Sequence, residues 1–165
     1  MEPHFSRAAI IGVGLLGASL GLALKARGIA DKVIGIGRRQ SSLDVALGSG
    51  AIDEAFLDAA EGAARADLIV VATPAALVQD MLDAVRPVCG PSTIVTDVAS
   101  TKGAICAHAA ATWPSPRRFV GSHPMAGSEK YGPEHGRPDL YDHSVCLVET
   151  GADLDPEAHA AVTAL

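Results

Sequence analysis

Aromatic residues make up only 4% of the 165 residues, with one Trp, two Tyr and three Phe, so the core must be built from small aliphatic side chains. A basic excess is also missing. Thirteen Lys and Arg stand against nineteen Asp and Glu, giving a formal net charge of −6 and a pI near 5.4, which argues against a nucleic-acid surface. No apolar run reaches the ~18 residues of a membrane span, because Lys25, Arg27, Asp31 and Lys32 interrupt the longest candidate. The opening Met1-Glu2-Pro3-His4 lacks the basic segment of a secretory signal. The cysteines are an odd number, Cys89, Cys106 and Cys146. They have no metal-like spacing and read as small core hydrophobes in a reducing compartment. His135, His143 and His159 likewise lack the short spacing of metal ligands. These absences predict a cytoplasmic protein without membrane, nucleic-acid or metal partner.

What remains is rich in apolar residues, at 48%, and in glycine, with 17. A chain of this length and modest charge predicts one ordinary folded domain. Residues 8–13 form a short apolar run, then comes Gly12-Val13-Gly14-Leu15-Leu16-Gly17. A helix of small and Leu residues follows, capped by Gly28, and residues 32–36 give a second strand. The alternation continues with helices over 43–48, 53–66, 75–85 and 102–111, and strands over 67–72 and 92–97. Shorter strands are expected at 119–121 and 145–148. Continuous apolar strands separated by helices predict an α/β fold of the Rossmann type, with a doubly wound, mostly parallel sheet. A long Gly- and Pro-punctuated loop over 121–141 suggests a functional segment. Residues 155–165 read as the first turns of a helix that is cut short. The expected division is a dinucleotide-binding domain over 1–150, with 151–165 opening a truncated helical domain.

Gly12-x-Gly14-x-x-Gly17 between strand and helix is a dinucleotide fingerprint. Gly12 permits the tight turn, Gly14 leaves room for a pyrophosphate and Gly17 lets the helix approach the sheet. Backbone amides at Leu15, Leu16 and Gly17 would then meet the phosphates at the positive end of the helix. An NAD site usually places a carboxylate ~20 residues beyond the turn, near the end of the second strand. Here Gly37 is followed by Arg38, Arg39, Gln40, Ser41 and Ser42, with no carboxylate before Asp44. Two guanidiniums and the hydroxyls of Ser41 and Ser42 suit a 2′-phosphate, which favours NADP over NAD. A solvated Arg pair, or Arg38 stacked on the adenine, is the competing reading.

Thr73 and Pro74, directly after a core strand, should line the nicotinamide ribose pocket. Two more polar segments, Asp97–Gly103 and Gly121–Glu129, sit beyond strand ends, where ligands of open parallel sheets bind. His123 can accept a proton near neutral pH, and Ser100 can orient a bound hydroxyl. Lys102 is either a partner for a substrate carboxylate or a solvated helix-start residue. Glu129 and Lys130 read as lid or salt-bridge residues.

Gly12–Gly17, Val71-Ala72-Thr73-Pro74, Asp-x-x-Ser-x-Lys-Gly at 97–103 and Gly-x-His-Pro-Met-Ala-Gly-x-Glu about 20 residues later together resemble the nucleotide-binding half of the prephenate and arogenate dehydrogenases. The resemblance implies oxidation at the ring carbon bearing the 4-hydroxyl, with loss of carbon dioxide, as a step of tyrosine biosynthesis. It places the catalytic base on His123 and the active-site serine on Ser100. It also implies a helical second domain that makes a homodimer and supplies basic residues for the substrate carboxylates. Competing readings are another two-domain NAD(P) dehydrogenase, a nucleotide-binding module or an inactive remnant.

Overall fold

The computed structural model describes residues 3–165. Six parallel strands form the main sheet: β1 (Phe5–Ile11), β2 (Ala30–Ile36), β3 (Glu54–Phe56), β4 (Leu68–Val71), β5 (Ile94–Asp97) and β6 (Phe119–Val120). Their order is β3-β2-β1-β4-β5-β6. The chain winds one way from β1 to β3 and the other way from β4 to β6. This is the expected doubly wound arrangement, with its switch point between β1 and β4.

Both faces of the sheet are covered, which explains the unbroken apolar runs. Alternate residues along each strand serve opposite cores. Ala8 and Ile10 of β1, with Leu68 and Val70 of β4, face α1 (Leu15–Ala26), α2 (Gln40–Gly48) and α6 (Pro156–Ala164). Ala9, Ile11, Ile69 and Val71 face α3 (Ala59–Ala63), α4 (Val78–Val85) and α5 (Gly103–Thr112). The scarcity of aromatics has a visible consequence, since Phe119 is the largest fully buried side chain among the described residues.

Three expectations are corrected. Residues 53–66 are not mostly helical, because Glu54–Phe56 pair with β2 as the sheet's edge and only Ala59–Ala63 form a helix. The long loop is partly ordered. Its start, β7 (Ser122–Pro124), pairs antiparallel with β8 (Cys146–Val148) in a separate two-stranded ribbon, and a 3-10 turn follows at Pro133–His135. The cysteines are not uniformly core residues: Cys89 and Cys106 are half-buried and Cys146 is exposed.

Two anchors fix the ribbon and the segments beside it. The Arg117 guanidinium, 2% exposed, donates to both carboxylate oxygens of Glu149 at 3.0 and 2.8 Å and to Asp153 at 2.9 Å. Burial opposes the charge on Glu149, but the hydrogen bonds from Arg117 and the Gly121 amide outweigh it and hold the carboxyl below its usual range. Farther round, Tyr141 Oη donates to the Leu16 carbonyl at 2.8 Å, and the Arg137 amide donates to Ser19 Oγ at 3.0 Å. The segment that follows β7 is thereby strapped to α1. Among the described residues no helix is long and apolar enough to cross a membrane.

Candidate active site

The switch point opens into a cleft of about 450 Å³ at the carboxyl ends of the strands. Gly14, Leu15, Leu16, Thr73, Pro74, Ser100 and His123 all line it. Residues predicted from four separate segments therefore meet in one space. Gly12 and Gly17 do not line the cleft, and Arg38, Arg39 and Ser41 stand exposed at the end of β2 and the start of α2.

The three glycines have different physical reasons to be there. Gly12 has φ +97°, and a Cβ on it would stand 2.7 Å from the Ala72 carbonyl oxygen of β4's continuation. A Cβ on Gly17 would stand 2.1 Å from the Gly12 carbonyl oxygen. Both are demands of the fold. A Cβ on Gly14 would meet nothing within 4 Å, so no packing demand of the chain explains glycine there.

The cleft fits a dinucleotide on two further counts. Helix α1 follows Gly14 at its N-cap position with no side-chain cap and no acid in its first turn, leaving the first backbone amides for an anion. Thr73 Oγ1 is buried without a hydrogen-bond partner, and it lines the same cleft. An orphaned buried hydroxyl costs about 1–3 kcal/mol, which a polar ligand group would relieve. Outside the cleft lining, the first turn of α2 also lacks an acid and a side-chain cap. The nearest carboxylate along the chain, Asp44, is engaged by Gln40 at 2.8 Å. Among the described residues neither Arg38 nor Arg39 has an acidic partner.

His123 sits mid-strand on β7, opposite Leu147, and is half-buried. Ser100 is exposed in the turn between β5 and α5. No hydrogen bond joins the two side chains among the described residues. Lys102 departs from both of its expected roles, because it turns inward to pair with the fully buried Asp97. Lys130 forms no ion pair among the described residues and lines the cleft, as does Tyr131, which is 85% exposed. Sequence reasoning passed over Tyr131. One of only two tyrosines, placed in a Gly-flanked polar loop, was the available signal. Among the described residues no group of three His, Cys, Asp or Glu side chains could hold a metal ion.

Comparison with known proteins bears on the whole chain. The profile of the family described as "Prephenate dehydrogenase, nucleotide-binding domain" matches residues 20–165, starting beyond the glycine turn. A prephenate dehydrogenase of Bacillus subtilis (strain 168) is 31% identical over 150 residues, covering 90% of this chain and 40% of that protein. The crystal structure of Synechocystis arogenate dehydrogenase superposes with a TM-score of 0.86 at 33% identity, covering 95% of this chain and 54% of the other. Prephenate dehydrogenase from Aquifex aeolicus, in complex with hydroxyphenyl propionate and NAD+, superposes with a TM-score of 0.89 at 26% identity, covering 99% and 55%. The chain spans about half the length of the relatives it matches. It belongs to the prephenate dehydrogenase family, in the part that forms the nucleotide-binding domain.

Proposed function

We propose that this chain is the cofactor-binding half of an enzyme that oxidatively decarboxylates prephenate or arogenate, with NADP favoured over NAD. The observation that carries the reading is the convergence of Ser100 and His123 on the cleft lined by Gly14 and Thr73. The amides of Leu15, Leu16 and Gly17 bind the pyrophosphate, with Gly12 shaping the turn. Thr73 and Pro74 flank the nicotinamide ribose, and Arg38, Arg39 and Ser41 take a 2′-phosphate. Bound there, the nicotinamide supplies the hydride acceptor.

The chain's own work is orientation and one proton. Ser100 Oγ holds the substrate's 4-hydroxyl, and the unprotonated ring nitrogen of His123 takes that hydroxyl's proton as the carbon beneath it is oxidised. Removing the proton stabilises the positive charge that would otherwise develop there. The ring becomes aromatic when carbon dioxide leaves, so no further base is required. Lys130 is the cation placed to meet a substrate carboxylate, since Lys102 is neutralised by Asp97. The second, helical half that completes the substrate site and the dimer lies beyond the domain assigned to 1–150, and α6 of residues 151–165 still packs on the sheet through Ala158 and Val162.

Calorimetry and steady-state kinetics test this. The 165-residue chain binds NADP or NAD but oxidises prephenate and arogenate poorly. A protein of the relatives' length turns over within the usual range of ~1–10³ per second. Full turnover by the isolated chain would remove the need for a second half, and absence of cofactor binding would overturn the reading altogether.

Cofactor choice has its own test. Arg38→Ala with Arg39→Ala weakens NADP more than NAD, because each charged hydrogen bond contributes about 1.5–3 kcal/mol before solvent screening. Both side chains are exposed, so the loss falls toward the low end. Equal weakening of the two cofactors would reassign Arg38 to adenine stacking.

A further inference from the structure

Ser100 and His123 come from different elements, the β5–α5 turn and β7, and no direct bond holds one against the other. The group that joins these elements is Asp97, the last residue of β5, which is completely buried. One of its carboxylate oxygens accepts from the Ala99 amide at 3.0 Å and from Lys102 Nζ. That closes the turn carrying Ser100. The other oxygen accepts from the Ser122 amide at 3.2 Å, on the residue preceding His123. Asp97 is held a second time through its main chain, where its carbonyl accepts the Ser122 hydroxyl at 2.6 Å. Thr96 backs the same joint, donating to the Val120 carbonyl at 2.7 Å with Ser122 Oγ 3.0 Å away.

We propose that the pair of buried Asp97 and half-buried Lys102 is a positioning device, which sets the register between the serine turn and the histidine strand. Its catalytic meaning rests on the proposed dehydrogenase reaction. An apolar pair of similar shape would fill the space equally well and is often no less stable than a buried ion pair. It could not receive the Ala99 and Ser122 amides together. The carboxylate's three donors come from both elements, and an amide side chain at 97 would accept on one side only. Burial pushes the Asp97 carboxyl up, against the pull of Lys102 and the two amides. Removing one partner therefore strands the other in surroundings hostile to charge.

The test separates positioning from bulk stability. Asp97→Asn alone strands Lys102, so the decisive variant is Asp97→Asn with Lys102→Met, which removes both charges together. The double variant of the chain leaves one buried amide without an acceptor, so it melts a few degrees below the unmodified protein but above Asp97→Asn alone, and binds NADP or NAD with unchanged affinity. Amide hydrogen exchange at Ala99, Ser122 and His123 accelerates about tenfold or more, a local opening. In the protein of the relatives' length, the double variant lowers kcat about 10–100-fold, the scale of a misplaced reacting group, at an unchanged KM for the cofactor. Lys102→Arg, which keeps the charge, retains most of the kcat. Unchanged exchange at both Ala99 and Ser122 in the double variant would overturn the proposal, as would kcat returning together with stability. Should the unmodified protein oxidise neither prephenate nor arogenate, the reaction assignment fails, and the exchange measurement still decides the joint.

Discussion

In the protein of the relatives' length, His123→Asn lowers turnover about 10²–10⁴-fold, the usual scale for removing a general base. Asn keeps a polar side chain and some hydrogen bonding but cannot take up a proton. Affinity for the nicotinamide cofactor hardly changes, because the proposed phosphate seat at the start of α1 belongs to a different element from β7. The pH profile carries the sharper information. Imidazole is the side chain that gains a proton just below neutral pH, so the acidic limb of the rate profile disappears in His123→Asn. Ser100→Ala is milder and keeps that limb, since it removes an orienting hydroxyl and leaves the base. A purely structural role for His123 gives a different pattern, in which melting temperature and activity fall together and the pH dependence of the surviving enzyme is unaltered. His123 is only half-buried, and its strand neighbour across the ribbon, Leu147, is 55% exposed. Little packing is at stake in the substitution. Rates per folded molecule across pH ~5–9 separate the cases. A persistent acidic limb in His123→Asn would move the base elsewhere.

The parts of the fold that depend on local pattern were legible in the sequence. The run Leu68–Val71 is buried at every position because helices cover both faces of the sheet, and such a run reads as a central parallel strand without further help. The glycine turn and the Thr73-Pro74 step were legible for a similar reason, since a specific backbone demand or strand end marks each. Glu54–Phe56 was not. Three half-buried residues in an acidic, Ala-rich stretch carry no strand signal of their own, and they pair only because β2 offers an edge. The ribbon was half-legible: Val145–Val148 suggested a strand, but its partner lies across a Gly- and Pro-rich segment and the pairing is non-local. Lys102 was ambiguous because its partner is chosen by tertiary structure. Asp97 is five residues away, and its burial depends on β4 and β6 flanking β5. The same non-local placement hid the Ser122 amide, which meets Asp97 across 25 residues of sequence.

Gly17→Ala and Gly14→Ala should behave oppositely, although both alter the same six-residue motif. At Gly17 the new methyl would sit 2.1 Å from the Gly12 carbonyl oxygen and 3.0 Å from Ile10 Cγ2, so α1 must lift from β1. Overpacking of this kind costs about 1–3 kcal/mol, sometimes more. The gain in helix propensity from Gly to Ala, about 1 kcal/mol at most, offsets only part of it. At roughly 2–4 °C per kcal/mol for a chain of this size, the melting temperature falls by several degrees, and cofactor binding weakens with the displaced helix. At Gly14 the methyl meets nothing, and the backbone, at φ −97° and ψ −156°, is one that any residue adopts. The fold and its melting temperature therefore stay as they were. What the methyl occupies is the space above the first amides of α1, where a phosphate would approach most closely. Affinity for NADP and NAD falls about 10–100-fold, the effect of losing one or two charge-assisted contacts. Melting curves and calorimetry on the two variants read both halves of the expectation. Undiminished cofactor affinity in Gly14→Ala would mean that the pyrophosphate does not sit at the start of α1, and glycine at that position would then have no explanation in either the packing or the ligand.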